Sequence, residues 1–102
     1  MKIIGITRRI GDSEQDNDAR AELVLPEIHE AWRLHLEGFI REFYLAEGRQ
    51  AVVIIIEADS EAQAAEKLKE LPMVREELVA FDLIGLAPYP SFARLFRAEF
   101  CG

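Results

Sequence analysis

Residues 51–56 read Ala-Val-Val-Ile-Ile-Ile, aliphatic at every position instead of every other one. The run is too short for a buried helix and is rich in β-branched residues, so it reads as a strand. Successive strand side chains point to opposite faces. Val52, Ile54 and Ile56 on one face and Val53 and Ile55 on the other therefore all need apolar neighbours. Whatever this chain folds into must cover a sheet on both sides. With 102 residues it can build one core but not two independent domains, so 1–102 is read as a single domain.

The flanking segments supply the partners. Lys2 to Ile10 is β-branched and reads as a strand. Residues 11–18, GDSEQDND, have acids at alternate positions, but a calcium loop from Asp12 would need glycine at its sixth place and glutamate at its twelfth. Asn17 and Leu23 stand there, so the segment is expected to be a mobile acidic loop. From Pro26, which suits a first helical turn, Leu25, Ile28, Trp32, Leu36 and Phe39 recur at spacings of three and four, predicting an amphipathic helix that Gly38 ends. Ile40 to Leu45 reads as a second strand, joined to the aliphatic one by the turn Glu47-Gly48-Arg49-Gln50. Asp59 or Ser60 can cap a helix with the stripe Ala62, Ala64, Ala65, Leu68 and Leu71, which Pro72 ends before a connector at Val74 to Glu77. Leu78 to Leu86 reads as the last strand. Beyond Pro88 and Pro90, residues 91–100 form an expected short helix with Phe92, Leu95, Phe96 and Phe100 on its apolar face.

The order strand, helix, strand, strand, helix, strand is the ferredoxin-like βαββαβ pattern: an α+β fold with a four-stranded antiparallel sheet and two helices on one face. The aliphatic strand then lies inside the sheet, and its second face has no cover within the protomer. A second copy packed sheet to sheet supplies it, so a homodimer closed into an α+β barrel is expected, with the C-terminal helix docked on the partner subunit.

Charge narrows the partners. Twelve Lys and Arg against nineteen Asp and Glu leave a net −7, which repels phosphate backbones and anionic lipid, so no nucleic-acid or membrane partner is expected. No run approaches the roughly 20 apolar residues of a membrane span. The one cysteine, Cys101, admits no internal disulfide and no cysteine metal site, which fits a reducing, cytoplasmic setting.

Glu37-Gly38 before a strand, Glu57-Ala58-Asp59-Ser60 opening an alanine-rich helix, Leu71-Pro72-Met73 closing it and Leu86-Ala87-Pro88-Tyr89 after the last strand together resemble the muconolactone isomerase-like group of the dimeric α+β barrel superfamily. The resemblance runs from Trp32 onward. It implies a ferredoxin-like protomer, a face-to-face dimer or a larger homo-oligomer built on it, and small organic acids or lactones as substrates. Isomerases of that group move a proton next to a lactone carbonyl without metal or organic cofactor.

Such a proton shift needs a base with a pKa near working pH. His29 and His35, the only histidines, flank the stripe of the first long helix and are the candidate catalytic residues. Their six-residue spacing puts them on different sides of the stripe, so no shared metal site is expected and no cofactor is implied. Trp32 as a pocket wall, Tyr44 as a polar tip, and Arg49 and Glu57 at the two ends of the third strand are the candidate ligand-binding residues. Asp82 among apolar neighbours is a further candidate base. Two other readings stay open on this fold: a non-catalytic small-molecule-binding or assembly protein, and an oxygenase or haem-handling protein using a histidine as axial ligand.

Overall fold

The structure is a computed structural model, and it describes residues 1–97. Its elements are β1 (Lys2–Arg9), α1 (Glu14–Leu36), β2 (Ile40–Leu45), β3 (Val52–Glu57), α2 (Glu61–Leu68), the one-turn α3 (Pro72–Arg75), β4 (Val79–Leu86) and a 3-10 segment, Pro90–Phe96. The four strands form one antiparallel sheet in the order β2-β3-β1-β4. The aliphatic β3 is therefore an interior strand, as its composition requires.

One side of the sheet carries the core. Ile3, Ile54, Ile56 and Ile40 meet Leu34, Phe39, Ala64, Leu68 and Leu71 from the helical side, and burying each large aliphatic contributes about 1.5–3 kcal/mol. Gly5 sits between these strands where a Cβ would come within 3.0 Å of Ile54 Cγ1 and 3.2 Å of Phe81 Cδ1. Only glycine lets those two side chains close over the backbone. No element among the described residues lies over the opposite side. In the β1–β3 and β1–β4 registers Ile4 and Ile6 lie between Ile55 and Val53 on one flank and Ile84 and Asp82 on the other. This open face is apolar at its centre, with the Arg8–Asp82 ion pair at 3.4 Å beside it.

Three expectations need correction. The acidic segment 11–18 is not a loop throughout, because α1 begins at Glu14. Ser13 Oγ accepts the Asp16 N–H at 3.1 Å, and the Asp16 carboxylate accepts the Ser13 N–H at 3.4 Å. This capping box, with two acids in the first turn facing the positive end of the helix dipole, makes the acidic composition helix-promoting. Pro26 consequently lies inside the helix, not at its start. The apolar stripe is also left largely uncovered: Leu25, Ile28, Trp32 and Leu36 are exposed, whereas α1 lays Arg20, Ala31 and Leu34 towards the sheet. Finally, Pro72 opens α3 instead of only ending a helix, because proline at a first helical position loses no bond.

The last segment, Pro90–Phe96, is a 3-10 turn whose Phe92, Leu95 and Phe96 are exposed. The expected helix over 91–100 thus takes the tighter form where it is described, and Phe100 and Cys101 lie outside the described residues.

Candidate functional site

The capping box starts α1 early enough for its N-terminal half to overhang one end of the sheet. Beneath it, bounded by the ends of β1 and β2 and by the starts of β3 and β4, lies a cavity of about 800 Å³. Val24, Ile28, Leu45, Val52, Met73 and Val79 give it apolar walls, and Thr7, Arg9, Asn17, Arg20, Glu27, Arg49 and Gln50 carry its polar groups. Thr7 Oγ1 accepts the Val52 N–H at 2.8 Å, which holds β1 and β3 together at the rim.

Arg20 is buried, at 7% exposure, and its guanidinium is spent on neutral acceptors. Nη1 donates to the carbonyls of Ile10 at 2.9 Å and Leu78 at 3.0 Å, and Nη2 donates to the Gly11 carbonyl at 2.9 Å and Asn17 Oδ1 at 2.7 Å. It thereby pins the end of β1 and the approach to β4 under α1. Glu27 lies one helical repeat further on. Its Oε1 accepts the Met73 N–H at 2.9 Å, in the first turn of α3. Burial raises its pKa above the ordinary 4.5, against the opposing pull of that hydrogen bond and of the Arg75 charge. A carboxylate whose pKa is raised by partial burial suits proton transfer.

The residues singled out in the sequence are not gathered here. Arg49 lines the cavity. His29 is 81% exposed on the outer side of α1, 3.8 Å from Glu30, and faces a separate polar hollow of about 480 Å³ that also contains Arg33, Glu70 and Arg75. The cations of that hollow are partly neutralised, since Arg33 pairs with Glu30, Glu37 and Glu70. His35 places Nδ1 2.8 Å from the Ile40 carbonyl and stacks between Trp32 and Phe43, with ring centroids 5.4 and 5.9 Å away. Neither histidine lines the cavity, so neither offers an axial ligand within it. Trp32, at 59% exposure, is not a wall of the cavity.

Tyr44 and Glu57 sit on the open side of the sheet. The Tyr44 phenol donates to the Glu42 carboxylate, which raises its pKa, and the Met1 ammonium, 2.9 Å from Glu57 Oε1, holds that carboxyl below its ordinary range. Asp82 is the exposed partner of Arg8 on an edge strand. Glu27 and Arg20 are the residues that sequence reasoning missed. The cavity can accept a small, mainly apolar molecule bearing negative charge and can present it with one carboxylate. Among the described residues no group of three or more His, Cys, Asp or Glu is arranged to hold a metal ion, and no helix is long and apolar enough to cross a membrane.

Superposition on a crystal structure of muconolactone isomerase at 3.3 Å resolution gives a TM-score of 0.71 with 22% identity, covering 89% of this chain and 93% of that one. The chain has the muconolactone isomerase fold. Protein-family models and curated protein sequences give no match. The shared muconolactone isomerase fold accounts for the sheet order and for both helices lying on one side.

Proposed function

We propose that this protein is a cofactor-independent isomerase-like catalyst that moves a proton on a small lactone or carbonyl-containing organic acid bound beneath α1. The observation that carries the reading is Glu27: a half-buried carboxylate, held by the Met73 N–H and with its pKa raised by burial, the one acid in a cavity lined by apolar, neutral polar and arginine side chains. The fold shared with muconolactone isomerase supports the same class of chemistry. In this scheme the Glu27 carboxylate takes the proton from the carbon beside the carbonyl, and the C–H electron pair passes to the carbonyl oxygen as an enolate. The same carboxyl then returns the proton to that carbon or to the conjugated carbon further along. Atoms and charge balance with no co-reactant. The positive field of the arginines stabilises the enolate oxygen, because charge develops there only as the proton leaves.

A homodimer completes the molecule in this account. The open sheet face, with Ile4, Ile6, Val53, Ile55 and Ile84 at its centre, is self-complementary in chemistry and fits a second copy packed face to face. The exposed Phe92, Leu95 and Phe96 fit docking on a partner subunit. A cytoplasmic location fits the cysteine usage.

The test is carbon-bound hydrogen exchange in deuterated water, followed by proton NMR on a panel of 2-oxo acids and γ-lactones. Catalysed exchange that disappears in Glu27→Gln supports the reading. Saturable binding without exchange on any member favours a non-catalytic binding protein.

A further inference from the structure

The chain is acidic overall, yet the cavity wall is not. Arg9, Arg20 and Arg49 stand there against the single carboxylate of Glu27, so the lining carries two positive charges in excess in a protein of net charge −7. Outside the cavity Arg8 pairs with Asp82 and Arg33 with three glutamates, whereas Arg41 and Arg75 pair with no described carboxylate. Within it, Arg9 and Arg49 form no ion pair with any described residue, and the buried Arg20 meets four neutral acceptors and no carboxylate. A guanidinium taken out of water with only dipoles around it keeps most of its long-range field, because no countercharge cancels it. Arg20 has both Nη groups committed and so contributes field, whereas Arg9 and Arg49 at the rim have donors to spare.

We infer that the cavity takes a doubly charged organic anion, a dicarboxylate: the rim arginines Arg9 and Arg49 bind one carboxylate directly, and the field of Arg20 draws in the other. A monoanion would leave one excess charge unmatched, and a neutral molecule both. Forked guanidinium–carboxylate bonding sets the specificity at the rim. This inference rests on the reading of the cavity as the binding site and is independent of whether Glu27 moves a proton.

Calorimetric titration of the full chain with 2-oxoglutarate and with 2-oxopentanoate separates the possibilities, as the two share five carbons and the 2-oxo group and differ by one carboxylate. The expected result is binding of 2-oxoglutarate at least about tenfold tighter, weakening with added salt, with Arg49→Gln or Arg9→Gln cutting the preference to about twofold. Both residues lie at exposed positions, so the fold persists in each variant, and a thermal melt checks this. Equal affinity for the two acids, no binding of 2-oxoglutarate at millimolar concentration, or a preference retained in both variants overturns the inference. Exchange at carbon 3, read separately by NMR, keeps the two ideas apart. Preference without exchange removes the proton-transfer role of Glu27 and leaves the dicarboxylate site standing, whereas exchange without preference does the reverse.

Discussion

Glu27 on α1 and the backbone of Met73 on α3 are joined by a hydrogen bond of 2.9 Å, and both residues line the same cavity. One carboxylate thus caps the N–H of a one-turn helix and stands as a candidate base, so its structural and chemical roles are separable by substitution. Glu27→Gln keeps an oxygen acceptor for Met73 and loses the base. It is expected to abolish catalysed hydrogen exchange with the melting temperature held, whereas Glu27→Ala also orphans the Met73 N–H and destabilises the fold by about 1–3 kcal/mol. NMR exchange rates and thermal melts on both variants check this.

The raised pKa of Glu27 sets a direction for pH. Above 4.5, its ordinary value, the unfolded chain has lost the proton while the folded chain still holds it, so stability falls as pH rises from there through the raised pKa. Glu30, Glu57 and Glu70 act oppositely, since their pKa values are lowered by Arg33, by the Met1 ammonium and by Arg33 with Lys67. Their contributions are present above 4.5 and are lost as pH falls through the lowered values. Denaturant melts across pH are expected to show the falling contribution in the wild type and not in Glu27→Gln. Catalysed exchange, which needs the carboxylate, rises with pH over the same window.

Replacing Arg20 by leucine strands the carbonyls of Ile10 and Gly11 and the Asn17 amide oxygen, and leaves the Leu78 carbonyl with the Ile10 N–H alone. A loss of about 1–3 kcal/mol is expected, because several partly buried acceptors lose their donor together. Denaturant titration measures it, and a cost under about 0.5 kcal/mol contradicts the pinning role.

A charge in the middle of the open sheet face is expected to separate subunits without unfolding them. Ile55→Asp places a carboxylate between Ile4 and Glu42 in the register, on the side away from the helices. Sedimentation velocity is expected to report a monomer for this variant and a dimer or a multiple of it for the wild type, with unchanged far-ultraviolet circular dichroism.

Much of the architecture was legible because the strand signals are local. The aliphatic run of β3, the glycine of the β2–β3 turn and Gly38 after α1, with φ of +85°, state their conformations in the residues themselves. The beginning of α1 is obscure in the sequence because the same acidic residues suit both a solvated loop and the Ser13–Asp16 cap of a helix. The cavity stayed hidden for a related reason. The apolar stripe Leu25, Ile28, Trp32, Leu36 is the stronger periodic signal on α1, yet it is left exposed, with only Ile28 reaching the cavity, and the sheet-facing side carries Arg20 among small and aliphatic residues. A polar residue is not read as buried from spacing alone, because its burial depends on carbonyls brought in by β1 and β4. The histidines attracted attention by residue type, but His35 serves the Ile40 carbonyl and His29 faces solvent.

The central claim is the position of the site beneath the N-terminal half of α1. Amide chemical-shift mapping during titration with 2-oxoglutarate tests it most directly. The account predicts that the largest shifts fall on Thr7, Ala21, Val24, Ala51, Val52 and Met73, around the cavity. Shifts confined to Trp32, His35 and Phe43, or to Ile4, Ile6 and Val53 on the open sheet face, would contradict it.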